Sequence, residues 1–154
     1  THPQVQLLVV GPLSEGYEGS FDRIPNVAAI GKVPVATDYY SAFDLYVSTS
    51  TREGLGSALI DAVVRDVPVV ALDSGGVRDV LPEGVCVAAD EGEFLDAVGK
   101  AVTDYEMAKR EAQEHGVRVR SDFAVERMVE ETLAVYEDVV CHVADPRYTH
   151  DVST

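Results

Sequence analysis

Short, wholly apolar runs alternate with amphipathic stretches up to about position 90, and helical periodicity takes over afterwards. Residues 4–10 (QVQLLVV), 26–30 (NVAAI), 45–48 (LYVS), 69–72 (VVAL) and 85–88 (VCVA) are short and rich in β-branched side chains, so each reads as a strand. Gly11-Pro12, Gly31 and Gly75-Gly76 punctuate them. Thr37 is placed to cap a short helix over 38–42. Leu55, Leu59, Ala62 and Val63 recur at three- and four-residue steps, with Asp61, Arg65 and Asp66 on other faces; this predicts a helix that stops at Val67-Pro68. A second short helix is expected over 77–81, and Pro82 to Gly84 should lead into the last strand. Beyond Asp90 two apolar stripes stand out: Phe94, Leu95, Val98 and Val102, then Met128, Val129, Leu133 and Tyr136. The charged stretch between them, about 104–118, reads as a solvent-facing helix. Apolar strands alternating with helices predict a parallel sheet covered on both faces, an α/β, Rossmann-like fold with a helical C-terminal segment. Residues 1–144 are expected to form this domain and 145–154 a polar tail. Because the chain opens directly on a strand, position 1 reads as a cut through a larger architecture.

Composition narrows the partners. The formal net charge is −15 over 154 residues, which repels both nucleic-acid phosphates and anionic membranes. Lysine occurs only at Lys32, Lys100 and Lys109, and such an acidic, lysine-poor surface suits a high-salt cytoplasm where self-repulsion is screened, an acidic mesophile protein being the alternative. Cys86 and Cys141 are too few for a disulfide framework and sit among apolar neighbours, so both are expected as buried free thiols. The four histidines lack metal-ligand spacing, and no apolar run reaches membrane-spanning length. A cytoplasmic protein is expected, the full-length protein at most peripheral to the inner membrane face.

Candidate chemistry concentrates after the third strand. In open α/β sheets, ligands bind beyond the carboxyl ends of the strands. Residues 48–57 (STSTREGLGS) lie there, ahead of the most regular helix. Gly54 and Gly56 allow close backbone approach, and amides at a helix start favour an anion such as phosphate. Glu53 and Asp61 are eight positions apart; along a helix that spacing rotates about 80° past two full turns and rises roughly 12 Å, so both carboxylates can face one cleft. Carboxylates accept paired hydrogen bonds from vicinal hydroxyls, as in a sugar or a ribose. Arg52, Arg65 and Arg78 are weaker candidates for a phosphate cation, and surface solvation accounts for each. Tyr39, Tyr40 and Tyr46 read as packing residues.

The block EGLGSALIDA at 53–62, followed by VPVVA at 67–71 and Ser74-Gly75-Gly76, resembles the donor-binding signature of the family 4 retaining glycosyltransferases of GT-B architecture. The likeness runs from about residue 4 to 140 and is specific only over 53–76. It implies the C-terminal, nucleotide-sugar-binding half of such an enzyme. Glu53, the candidate catalytic residue, would contact hydroxyls of the transferred sugar; amides at Leu55, Gly56 and Ser57, with Gly54 alongside, would hold sugar or diphosphate. Asp61 would hold the ribose, and Val33, in Gly31-Lys32-Val33, would present its backbone to the base. The resemblance implies a nucleotide-diphospho-sugar substrate, no metal and no cofactor. Asp61 stands where the family usually has glutamate, and the residues after the first strand are not a dinucleotide fingerprint. The family's cationic pair for the diphosphate and its acceptor domain would both precede Thr1, so a fragment inactive alone is expected. A non-catalytic GT-B-like binding or assembly module, or half of a sugar-nucleotide epimerase, are the alternatives.

Overall fold

A computed structural model describes residues 4–13, 15–17, 19–81 and 86–143. The turn expected at 82–84, Val85 and the tail from 145 lie outside these residues, as does the side chain of Cys86. The chain divides into two compact units, Thr1–Phe43 and Asp44–Thr154.

In the first unit, β1 (Leu7–Val10) pairs in parallel with β2 (Val27–Gly31), in register Leu7 to Val27, with an irregularity between Val9 and Val10. The expected burial of both sheet faces does not hold for β2, where Ala28, Ala29 and Ile30 are exposed. A 3₁₀ helix follows at Ala36–Ala42. It starts two residues earlier than a Thr37 cap would require: extended Val35 is the cap residue, and no side chain caps the helix.

The second unit carries the larger core. Strands β3 (Tyr46–Ser48), β4 (Val69–Leu72) and β5 (Cys86–Ala88) form a parallel sheet in the order β3-β4-β5. Helix α1 (Ser57–Val63) joins β3 to β4, and α2 (Val77–Val80) follows β4. Three longer helices complete the unit: α3 (Glu91–Thr103), α4 (Tyr105–Asp122) and α5 (Val125–Val143). Parallel strands with helical crossovers bury their central strand on both faces, and Val69, Val70 and Ala71 are all buried. Val70 and Leu72 pack with Phe94, Ala97, Val98 and Ala101 of α3. Val69 and Ala71 alternate to the opposite face, and α1 packs on β3 and β4. Asp90 starts α3 by accepting from the Glu93 amide at 2.9 Å, while Glu93 Oε2 accepts from the Ala89 amide at 2.9 Å, a near-reciprocal cap.

Four expectations need correction. Helix α1 begins only at Ser57, because Gly56 adopts a left-handed conformation (φ 70°) that interrupts any helix from Glu53; Leu55 precedes it and is exposed. Leu95 is exposed on α3, so the buried stripe there centres on Phe94. The charged segment at 104–118 is more than a solvent face, since α4 buries Ala112, Gly116 and Val119 and packs on α1. Cys141 is a free thiol but an exposed one, because α5 leaves its described side chains in solvent. None of the described helices is long and apolar enough to cross a membrane.

One tie fixes the far end of α1. The chain leaves that helix through Asp66 in a left-handed conformation (φ 59°), and the Val67 amide reaches back to the Ala62 carbonyl at 3.1 Å. From α4, Arg120 donates to the Val64 carbonyl at 2.7 Å and to Asp66 Oδ1 at 2.8 Å. Gly116 makes the approach feasible: a Cβ there would collide with the Asp66 carboxylate and stand 2.9 Å from the Val63 carbonyl oxygen. In urea denaturation, Gly116→Ala is expected to cost about 1–3 kcal/mol through overpacking. Arg120→Ala should cost about 1 kcal/mol, because its hydrogen bonds are partly solvated. Unchanged midpoints in both variants would remove this tie from the account.

Candidate functional site

The second unit places its chemistry beyond the carboxyl ends of β3 and β4. After Ser48 the chain runs through an irregular loop to Gly56, whose positive φ turns it into α1. The first helical bonds go to the Gly56 carbonyl, from Leu59 at 2.8 Å and Ile60 at 3.1 Å. Among the described residues, the amides of Leu55, Gly56 and Ser57 donate to no backbone or side-chain acceptor. Three consecutive N–H groups without partners are donors available to an anion. Only Gly56 of the two loop glycines needs its conformational freedom; a side chain at Gly54 would meet open space.

Glu53 is half-buried in the loop, ahead of the helix. Asp61 lies one turn into α1, half-buried, and its Oδ1 pairs with Arg65 at 2.8 Å; Arg65 also donates to the Asp61 carbonyl at 2.8 Å. Because 53–56 is not helical, the angular relation between the two acids is set by the loop rather than by a continuous helix. What relates them is Tyr46. Burial pushes the Tyr46 phenol above its ordinary pKa of 10.0, and the charges of Glu53 and then Asp61 push it further in the same direction. Each carboxylate disfavours the phenolate through its negative charge, so both acids bear on one phenol. Sequence reasoning treated Tyr46 as packing alone; its position on the strand leading into the loop was the available signal.

The turn after β4 completes this end of the unit. Asp73 pairs with Arg78 at 2.7 Å, and Ser74 is buried with its hydroxyl unpartnered among the described residues. The Gly76 amide donates to the Gly54 carbonyl at 2.9 Å. Arg65 and Arg78, read as solvated, are thus each committed to an aspartate, whereas Arg52 is simply exposed beside Glu53. Val33 belongs to the first unit, two residues past the end of β2, and is half-buried. There Gly31 has φ 68° and its carbonyl accepts from the Gly11 amide at 2.9 Å. No group of three or more His, Cys, Asp or Glu side chains among the described residues is arranged to hold a metal ion.

The Tyr46 environment gives a direct check on where the acids sit. In a ¹³C NMR pH titration with Tyr46→Phe for assignment, Tyr46 should ionise above pH 10. Removing a neighbouring negative charge favours the phenolate, so Glu53→Gln should lower the Tyr46 pKa and Asp61→Asn should lower it less. Asp44→Asn should instead lower that of Tyr105, which shares a hydrogen bond with Asp44 at 3.4 Å. A Tyr46 titration that neither Glu53→Gln nor Asp61→Asn moves would place the acids away from the ring.

Comparison with known proteins agrees with this architecture. A family model described as glycosyl transferases group 1 matches residues 1–104. The lipopolysaccharide core biosynthesis mannosyltransferase LpcC of Rhizobium leguminosarum bv. viciae is 32% identical over 126 residues, covering 79% of this chain and 35% of that protein. Among solved structures, Anabaena HepE in complex with UDP superposes with a TM-score of 0.72 at 22% identity, covering 86% of this chain and 42% of HepE. Sucrose-phosphate synthase from Thermosynechococcus elongatus superposes with a TM-score of 0.74 at 23% identity, covering 89% and 39%. The fold is therefore that of GT-B glycosyltransferase structures, and the chain spans about a third of the length of the curated relatives it matches. This chain belongs to the group 1 glycosyl transferases.

Proposed function

We propose that this chain is the donor-binding part of a retaining, family 4 type glycosyltransferase that moves a hexosyl group from a nucleotide diphosphate to a glycan, lipid or small-molecule acceptor. The observation that carries the reading is the run of three unpartnered amides at Leu55, Gly56 and Ser57, with Glu53 just before it in the loop and Asp61 one turn into α1. Carboxylates match vicinal hydroxyls and amides match a diphosphate, and a nucleotide sugar offers both groups in one molecule. A mannosyltransferase among the relatives and a neighbour bound to UDP support the same ligand class.

In this reading the diphosphate lies against the amides of residues 55–57, Glu53 meets the sugar hydroxyls and Asp61 accepts from the ribose. Transfer breaks the bond between the anomeric carbon and the diphosphate oxygen and forms one to the acceptor oxygen on the same face. The acceptor's proton passes to the departing diphosphate, so no metal is required. Acceptor recognition belongs to parts of the enzyme outside these residues, and the chain alone binds donor without transferring it.

Calorimetric titration with UDP, GDP, ADP and CMP in concentrated potassium chloride tests this. One diphosphate should bind in preference to the others. Asp61→Ala should weaken it at least about tenfold, the equivalent of one charge-assisted hydrogen bond. Absence of binding by all four, or binding indifferent to Asp61→Ala, would overturn the donor-site reading.

A further inference from the structure

The loop bearing Glu53 has almost no attachments of its own. From Ser50 to Leu55, the backbone hydrogen bonds that tie it to the rest of the described chain all come from Gly76, whose amide donates to the Gly54 carbonyl at 2.9 Å and to the Glu53 carbonyl at 3.4 Å. The contact is close enough to exclude any side chain. A Cβ on Gly75 would fall on the Glu53 carbonyl oxygen, and one on Gly76 would fall on the Gly54 carbonyl oxygen. Gly75 also has φ 48°, a conformation that side chains rarely adopt.

The turn that makes this contact is itself rigid. Before it, β4 is buried in the sheet and the Asp73 amide bonds to the Ala88 carbonyl at 2.8 Å. After it, α2 is anchored by Val77, Val80 and Leu81, each at most 4% exposed. Within it, the Val77 amide bonds to the Ser74 carbonyl at 3.1 Å and the Arg78–Asp73 ion pair spans the turn. A core-anchored turn thus holds this loop at the carbonyls of Glu53 and Gly54.

We propose that Gly75 and Gly76 are positioning residues for Glu53: their turn fixes the height of the Glu53 loop over the sheet and so controls recognition of the transferred sugar. This rests on the donor-site reading above and adds that the sugar and the ribose are held by separately tunable parts. The ribose side depends on Asp61, carried on α1, and the sugar side depends on the β4–α2 turn. An added methyl at Gly76 pushes the loop outward, misplacing Glu53 while leaving Asp61 in its helix.

The experiment compares binding of UDP with UDP-glucose, and of GDP with GDP-mannose, to the chain and to Glu53→Ala, Gly76→Ala and the double variant. Gly76→Ala is expected to weaken the sugar nucleotide about tenfold more than its bare diphosphate. The double variant should bind no more weakly than Glu53→Ala alone, because both changes remove one interaction. Equal weakening of both ligands, or no weakening of either, would overturn the positioning role. If Glu53→Ala leaves sugar-nucleotide affinity unchanged, the donor-site reading of Glu53 fails first, and the positioning role with it. Should Gly76→Ala not fold, hydrogen exchange of the Gly76 amide in the unaltered chain decides the question. Slower exchange with UDP-glucose than with UDP supports the coupling, and identical exchange with both overturns it.

Discussion

The site depends on how firmly α1 is seated. A seven-residue helix has no stability of its own in water, since nucleation costs more than so few hydrogen bonds return. It exists here because Leu59, Ala62 and Val63 are almost completely buried, each large side chain contributing about 1.5–3 kcal/mol on transfer from water. Its C-terminal end is tied by Arg120 to α4, and its N-terminal end is set by Gly56. With both ends fixed, Asp61 and the amides of residues 55–57 occupy defined positions above the sheet. The loop before α1 lacks such burial and borrows its position from the turn after β4.

Charge explains why the backbone rather than cationic side chains presents itself to an anion. In a chain with 27 acidic and 12 basic side chains, arginines find carboxylates readily. Arg65, Arg78, Arg118, Arg120 and Arg127 all do so in the second unit. These exposed pairs add little stability individually, but they occupy Arg65 and Arg78, two of the three arginines considered for a phosphate, and leave Arg52 exposed. The unpartnered amides are dipoles that no surface aspartate has neutralised, and they keep their attraction for phosphate in concentrated salt at contact distance.

Much of this was legible in the residues themselves. The apolar runs located every strand of the described chain to within a few positions, because parallel strands read as uninterrupted apolar runs, although only β4 is buried along nearly its whole length. The block at 53–76 pointed to the carboxylates, glycines and turn that the second unit gathers at one end. Other features depend on neighbours distant in sequence and left no local mark. The left-handed Gly56 shortened α1 and invalidated an angular argument built on continuous helix. Gly116 reads as a mid-helix defect until Asp66, fifty positions earlier, is seen beneath it. Tyr46 looked like packing because its two acidic neighbours arrive from a loop and a helix that follow it. The apolar stripe of α5 was equally clear in sequence, yet its side chains remain in solvent among the described residues.

The central claim is that residues 53–61 hold a nucleotide sugar by two carboxylates and a run of backbone amides. A crystal structure of the chain with the preferred nucleoside diphosphate tests it most directly. The account predicts the diphosphate within hydrogen-bonding distance of the amides of Leu55, Gly56 and Ser57, and the ribose hydroxyls on Asp61. A diphosphate bound elsewhere, with those amides facing solvent and Asp61 still paired only with Arg65, would contradict it.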